Sequence, residues 1–209
     1  MVSQERAERT RGRLLEAAAR EFSLQGYSGT SLQRISRSAG VTMGALTFHF
    51  PTKPALAEAV HARGSEITRE AVARTGAEPP EEPDHPLLQR VIRISHTVAA
   101  LLCEEPTVRA AGRLTREGAP GPADWTDSWL PDVRGLLDQA SREKELRTGV
   151  DPEIVALLLR YLILGVLDSP QPTEGCASHL ARLNAVWAVL LTGLIGNAVD
   201  AAQAGDGSG

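Results

Sequence analysis

The stretch TSLQRISRSAGVTMGALTFHF, residues 30–50, decides how the rest of the chain is read. Thr30 or Ser31 offers an N-cap for a short helix carrying Leu32, Ile35 and Ser38. Gly40 can take the positive φ of a tight turn, with Val41 beside it to plug a core. Thr42 then caps a second short helix from Met43 to about Phe50, which Pro51 helps to end. Two short helices meeting at a glycine corner, behind a supporting helix, have the layout of a helix-turn-helix DNA reader. In that layout Leu32, Ile35 and Val41 set the angle at which the second helix enters a major groove. Many helical proteins contain such a corner, so its surroundings carry the decision.

Upstream, Leu14, Leu15, Ala18 and Phe22 recur at helical spacing over Arg6 to Leu24, and Gly26 ends that helix. Downstream, Leu56, Ala59, Val60 and Ile67 mark a helix from Lys53 to Thr75, and Pro79, Pro80, Pro83 and Pro86 make residues 77–86 a loop. Further helices are predicted over Leu87–Cys103, Pro106 to about Glu117, about Ser128 to Glu145, Pro152–Leu167 and Thr173–Ala202. Residues 205–209 read as a disordered tail. No strand pattern of alternating residues occurs, so the fold class is all-α with about nine helices. A boundary near residue 53 separates a compact three-helix module, residues 1–53, from a larger helical body, residues 54–204.

The 209 residues are 42% hydrophobic and 23% charged, the balance of a globular protein. Only 4% are aromatic, which argues against a stacking platform for single-stranded nucleic acid. Cys103 and Cys176 belong to no CxxC pair and are expected to be reduced, buried thiols, with neither a disulfide framework nor a zinc site. The longest apolar run, Ile154 to Leu167, contains Arg160 and is shorter than the ~20 residues of a membrane span. With no apolar leader at the N-terminus, a cytoplasmic protein without membrane contact is expected. Charge is unevenly placed: residues 1–53 hold eight Lys/Arg and four acids, +4 on a chain of net −4, leaving −8 for the body. A basic module on an acidic body suggests a polyanion partner at one end.

Thr10–Arg11, Leu15–Glu16–Ala17–Ala18, Phe22, Gly26–Tyr27, Thr30–Ser31, Ile35, Ala39–Gly40–Val41, Gly44–Ala45–Leu46, Phe48–His49–Phe50 and Lys53 together resemble the signature of the TetR family of bacterial transcriptional repressors. Gly44–Ala45–Leu46 followed by Phe48–His49–Phe50 looks most like its γ-butyrolactone-receptor branch. A weaker resemblance to that branch continues through Pro106–Leu114 and Gly118–Ala119–Pro120. It implies a homodimer whose body binds a small effector, without cofactor or metal, and whose heads bind a pseudo-palindromic duplex operator. Carried over by position, Thr30, Ser31, Thr42, Met43, Gly44, Ala45, Thr47, Phe48, His49 and Lys53 would form the DNA surface. Gly44 and Ala45 would allow close approach to base edges; Thr30, Ser31, Thr42, His49 and Lys53 would hold phosphates. Family members usually carry Lys where Met43 stands and Tyr where Thr47 stands, departures that would weaken phosphate grip and alter sequence preference.

The helix over Ile154–Leu167 is apolar at nearly every position and should be buried all round. Leu180, Leu183, Trp187, Leu190 and Leu194 form a three-four stripe, read as a helix–helix seam. With the resemblance, these two helices are expected to make an isologous dimer interface. The effector pocket is expected to be lined by Trp129, or by Trp125 if the register shifts, with Ile92, Ser95, His96, Val108, Leu158, Tyr161 and Leu162. Either Trp could equally be plain core. Gly64 stands where receptors of the branch often have Gln, which removes a polar pocket contact. The helix from Lys53 to Thr75 would be the lever linking pocket to head. A catalytic reading finds no support, since the five histidines form no HExxH pair and no glycine-rich phosphate loop follows a strand. A dimeric helical adaptor without DNA is a further rival. Within the regulator reading, the alternatives are a multidrug- or metabolite-responsive regulator of an efflux pump or biosynthetic cluster, or an electrophile sensor acting through a cysteine.

Overall fold

Helix α1 (Val2–Gln25) turns Leu14, Ala17, Ala18 and Phe22 into the first of two cores. In this computed structural model residues 2–79, 84–169 and 175–195 are described; they form nine α-helices and one 3-10 turn, with no strand among them. Ile35 of α2 (Leu32–Ala39), Leu46 of α3 (Met43–His49), Phe50, and Leu56, Ala57 and Val60 of α4 (Lys53–Ala77) continue that core. Ala110 and Leu114 of α6 (Pro106–Arg116) and the following Ala119 close it. The first core therefore runs past residue 53 and draws on the body.

The second core joins Val72 of α4 to α5 (Pro86–Glu104), α7 (Leu130–Arg142), α8 (Pro152–Asp168) and α9 (Cys176–Leu194), with Trp125 and Trp129 flanking the 3-10 turn Trp125–Ser128. α4 and α6 cross closely enough that a Cβ on Gly64 would stand 2.6 Å from both Ala111 Cβ and Thr107 O. A glutamine at this position would have no room, so the expected loss of a polar pocket contact is here the condition for two helices to meet.

Two charged side chains help to finish helix ends, at the start of α5 and the end of α8. The Glu145 carboxylate accepts the Leu87 and Leu88 N–H groups at 3.1 Å each, supplying the acceptor that His85 does not. Arg109 is buried and donates to Leu167 O (3.2 Å) and Ser169 O (2.9 Å) at the end of α8. Burial, with the nearby Arg113 charge, lowers its pKa.

Several expectations need correction. The helix expected from Ser128 to Glu145 is interrupted: Trp129 leaves helical geometry, and α7 starts just ahead of Pro131, whose missing N–H costs nothing in a first turn. It stops at Arg142, before Lys144 with φ 63°. α8 is not buried all round, since Ile154, Leu157, Leu158 and Tyr161 lie on its exposed side. The α9 stripe is real but points inward: Leu183, Trp187 and Leu194 are core residues, and Leu180 and Leu190 pack against them. Ala185, Val189 and Gly193 are among the exposed residues of α9, beside Arg182, Asn184 and Thr192. Residues 173–174 and 196–202 of the expected last helix, and the tail 205–209, lie outside the described residues. No helix among the described residues is long and apolar enough to cross a membrane.

Candidate nucleic-acid interface

Local capping chemistry builds the corner. Ser31 Oγ accepts the Arg34 N–H at 3.2 Å and Thr42 Oγ1 accepts the Ala45 N–H at 3.2 Å, starting α2 and α3. Gly40, at φ 62°, ends α2, with its N–H on Arg37 O and the Val41 N–H on Ser36 O, both at 3.0 Å. Arg13 of α1 clamps the corner by donating to Ala39 O at 2.6 Å. Thr52, which the sequence reading did not single out, repeats the pattern for α4 by accepting the Ala55 N–H at 3.2 Å. A hydroxyl that caps by accepting keeps its own proton to donate, so Ser31, Thr42 and Thr52, all exposed, can each cap a helix and donate to an outside oxygen.

α3 is anchored by Leu46, fully buried, and by Phe50, under the Arg11 guanidinium 5.5 Å from its ring. The opposite side faces out. Met43 is 38% exposed and Phe48 80% exposed, Gly44 and Thr47 are exposed, and Ala45 and His49 are half-buried. Thr47 Oγ1 bonds back to Met43 O (3.1 Å) and Gly44 O (3.2 Å), while the Phe48 ring stacks edge-on against His49. A phenyl ring left in water serves no purpose in the head's own packing. Lys53 lies at the start of α4 with its ammonium 4.2 Å over the Tyr27 ring; burial lowers its pKa and Glu117 works against that.

Thr30 departs from the expected surface. It is buried, and its hydroxyl donates to Gly26 O at 2.8 Å, so it locks the turn after α1 instead of facing outward. The sequence reading also missed Glu117. Its carboxylate accepts the Tyr27 N–H at 2.6 Å and is held by Arg113, tying the end of α6 to the turn before α2. The Arg113–Glu117 spacing is legible as a helical ion pair, but its tertiary partner is not.

The expected effector residues divide into three groups. Trp125, Trp129, Val108 and Ser95 are buried in the second core, while Ile92, His96 and Leu162 are half-buried. Leu158 and Tyr161 are exposed on the outer side of α8 and line no inner wall. Two of the buried groups are already used: Trp125 Nε1 donates to Thr68 Oγ1 at 3.1 Å, and Ser95 Oγ accepts Trp187 Nε1 at 2.8 Å. Trp129 Nε1 and His96 Nε2 are buried without a partner; His96 Nδ1 meets Ile92 O at 2.8 Å. An open cleft of about 640 Å³ lies elsewhere, between α1, α4 and the 3-10 turn, lined by Arg11, His61, Ser65, Arg69 and Asp124 among others.

The family model for bacterial regulatory proteins of the tetR family matches residues 14–60, which span the first core from α1 into α4. A crystal structure of a γ-butyrolactone receptor (ArpA-like protein) is 30% identical to this chain and superposes with a TM-score of 0.72, covering 91% of this chain and 90% of that one. The chain belongs to the TetR family. This TetR-family chain is also similar to CprB from Streptomyces coelicolor, solved in complex with its operator sequence, at 28% identity, 95% and 94% coverage and a TM-score of 0.75. The A-factor receptor protein of Streptomyces griseus is 28% identical over 193 residues, 91% of this chain, and the match spans 66% of that receptor's length. Resemblance thus extends beyond the head through the TetR-family body.

Proposed function

We propose that the chain is a homodimeric, ligand-responsive transcriptional repressor of the cytoplasm, acting as a regulator and not as a catalyst. It binds a pseudo-palindromic duplex operator through α3 and is released by a small signalling molecule of the γ-butyrolactone type. The observation that carries this reading is the outward side of α3, where Met43, Gly44, Thr47 and Phe48 stand clear of the core on a helix anchored from behind by Leu46 and Phe50. Phosphate contacts fall to Ser31, Thr42, Thr52, His49 and Lys53, and groove contacts to Gly44, Ala45, Thr47 and Phe48, the last suited to a thymine methyl. Thr30 holds the corner from inside.

Two copies are needed to place a pair of α3 helices roughly 34–36 Å apart on successive major grooves. The interface is supplied by the side of α8 carrying Ile154 (61% exposed), Leu157, Leu158 and Tyr161 (61% exposed), at helical spacings of three and four. Val189, 71% exposed and one turn from Ala185 and Gly193, is a further apolar residue left open on α9. Inside the body, Trp129 Nε1 offers a donor and His96 Nε2 an acceptor, both waiting for a partner. A ligand oxygen would serve the first and a ligand hydroxyl the second. The crowding around Gly64 favours a second reading, a receptor-like regulator tuned to another metabolite, because the branch's usual glutamine has no room.

The test uses an operator selected from genomic fragments, with affinity followed by fluorescence anisotropy across a salt series. Met43→Lys adds a cation at an exposed site and is expected to tighten binding and steepen the log–log salt slope by about 0.9, one more phosphate neutralised. An unchanged slope would remove α3 from the DNA. Sedimentation of Tyr161→Asp, expected to be monomeric and weak on the operator, tests the dimer face.

A further inference from the structure

Cys103 and Cys176 lie far apart in the sequence and come together in the fold. Cys103 is the last residue but one of α5, and Cys176 is the first of α9. The register of these helices is set by the Trp187–Ser95 hydrogen bond. From that bond, eight residues toward the end of α5 and eleven toward the start of α9 lead to the two cysteines. Glu145 holds the Leu87 and Leu88 N–H groups at the start of α5, while Arg147, two residues on, donates its N–H to Leu194 O at 2.7 Å at the end of α9. The two helices therefore run antiparallel, and at about 1.5 Å per residue both cysteines arrive at the same level to within roughly one turn. Cys176 is close enough to act on the Cys103 thiol, and both cysteines are free and half-buried.

We propose that Cys103 and Cys176 are a reversible oxidation site, at which a hydroperoxide converts the thiol pair to an intrachain disulfide bolting α9 to the end of α5. One sulfur, as thiolate, attacks the peroxide O–O bond. An S–O bond forms, the O–O bond breaks, and the leaving oxygen takes a proton to depart as alcohol or water. Sulfur is oxidised by two electrons to a sulfenic acid as the peroxide is reduced. The second thiol attacks that sulfur, an S–S bond forms, and hydroxide leaves with the thiol proton as water. A thiol reductant reverses the bridge.

The surroundings set the character of the site. Burial, and then Cys176, push the Cys103 thiol up to about 12, while the Arg109 charge pulls the other way and Glu104 adds to the rise. Cys103 therefore carries little thiolate at neutral pH, so it resists casual oxidation and responds to sustained oxidant. Cys103 also sits where α5 turns into α6, and α6 carries Arg109, Arg113 and the adjoining Glu117 contact to the head. A bridge here stiffens the corner through which the body communicates with the head; that consequence rests on the operator-binding reading.

The experiment treats the full chain with hydrogen peroxide or diamide and counts free thiols. The expected count falls from two per chain to none, with an intact mass lower by two hydrogens, a linked peptide pairing Cys103 with Cys176, and full reversal by dithiothreitol. Between pH 6 and 8 the peroxide rate is expected to rise about tenfold per unit, following the thiolate fraction. The oxidised chain is expected to melt about 10 °C higher, since the bridge closes a long loop. Cys103→Ser and Cys176→Ser each retain one thiol and give no linked peptide. Disulfides only between chains, or oxidation of each cysteine separately with no linked peptide in the wild-type chain, overturn the proposal. Because the mapping needs no DNA, it stands or falls apart from the operator reading. If the bridge forms, operator affinity of the oxidised chain is expected to differ from the reduced one by at least threefold, and equality removes the regulatory consequence.

Discussion

The Glu117 carboxylate, just past the end of α6, accepts the backbone N–H of Tyr27 at 2.6 Å, so a residue of the body holds the turn that launches the helix-turn-helix. Arg113 fixes that carboxylate at 2.9 Å and donates to Ser23 O at 3.0 Å, and Lys53 lies over the Tyr27 ring. The connection from body to head thus runs through α6 as well as through the long helix α4. Glu117→Ala is expected to lower the stability of the chain by about 1 kcal/mol, the scale of a partly exposed charge-assisted hydrogen bond. Operator affinity should fall several-fold as the head loses its fixed orientation, with Glu117→Gln intermediate because an acceptor remains. Thermal unfolding beside anisotropy titration checks both, and a variant that binds the operator like the wild type would show that α6 does not position the head.

Legibility followed the range of the interactions. The Ser31 and Thr42 caps and the Gly40 turn were readable because each acts on backbone within a few residues of itself. Thr30 was misread because two adjacent hydroxyls both suit a cap, and the path of the turn between α1 and α2 decides which of them folds back, as Thr30 does onto Gly26 O and Glu21 O at the end of α1. In α9 the stripe through Leu183 and Trp187 was visible, but periodicity shows that a face is apolar without showing what covers it. α8 carries so many apolar residues that no side stands out, and its outer side emerges only when α5 and α7 are packed on the other. Glu117–Tyr27 and Cys103–Cys176 left no sequence trace because their partners are brought together by topology alone.

Gly64 gives a prediction about packing. A methyl group there meets Ala111 Cβ and Thr107 O at 2.6 Å, and one of those neighbours is backbone that cannot swing aside. Gly64→Ala is expected to push α4 and α6 apart and destabilise the chain by about 1–3 kcal/mol, despite alanine's better helix propensity. Gly64→Gln should cost more than Gly64→Ala. Urea unfolding ranks the three proteins; an alanine variant as stable as the wild type would mean that the helices can separate freely.

His61 gives a pH dependence. It is buried beside the cleft on α4, and burial lowers its pKa from 6.5, against the pull of Asp124, the Ala123 carbonyl and Glu58. Its imidazole is neutral in the folded chain, so below about pH 6.5 the unfolded chain takes up a proton that the folded one refuses. The stability contributed is complete above pH 6.5 and is lost as pH falls from there toward the lower folded value. Unfolding free energy between pH 7.5 and 5.5 is expected to decline with a slope of up to about 1.4 kcal/mol per unit from this group. His61→Gln should remove that part of the slope while leaving the carboxylate-driven decline at lower pH. Identical slopes in the two proteins would place the titrating group elsewhere.

Trp125 and Trp129 lie with ring centroids 6.2 Å apart and differ in one atom's fate: Trp125 Nε1 is bonded to Thr68, while Trp129 Nε1 is buried without an acceptor. An unmet donor in a core costs about 1–3 kcal/mol, and the same donor becomes an asset once a ligand oxygen reaches it. The two Phe variants should therefore part company. Trp125→Phe removes the buried N–H that Thr68 Oγ1 accepts, leaving that hydroxyl only its own donation to Gly64 O at 2.8 Å, and is expected to lower stability while leaving effector recognition largely intact. Trp129→Phe trims the indole without stranding a partner, so its stability should stay within about 1 kcal/mol of wild type. Its response to a panel of synthetic γ-butyrolactones, read as release from the operator, should weaken about tenfold or more. Calorimetry on the unliganded variants needs no knowledge of the effector and already separates them; a Trp129→Phe chain far less stable than Trp125→Phe would assign Trp129 to plain core packing and return the pocket role to Trp125.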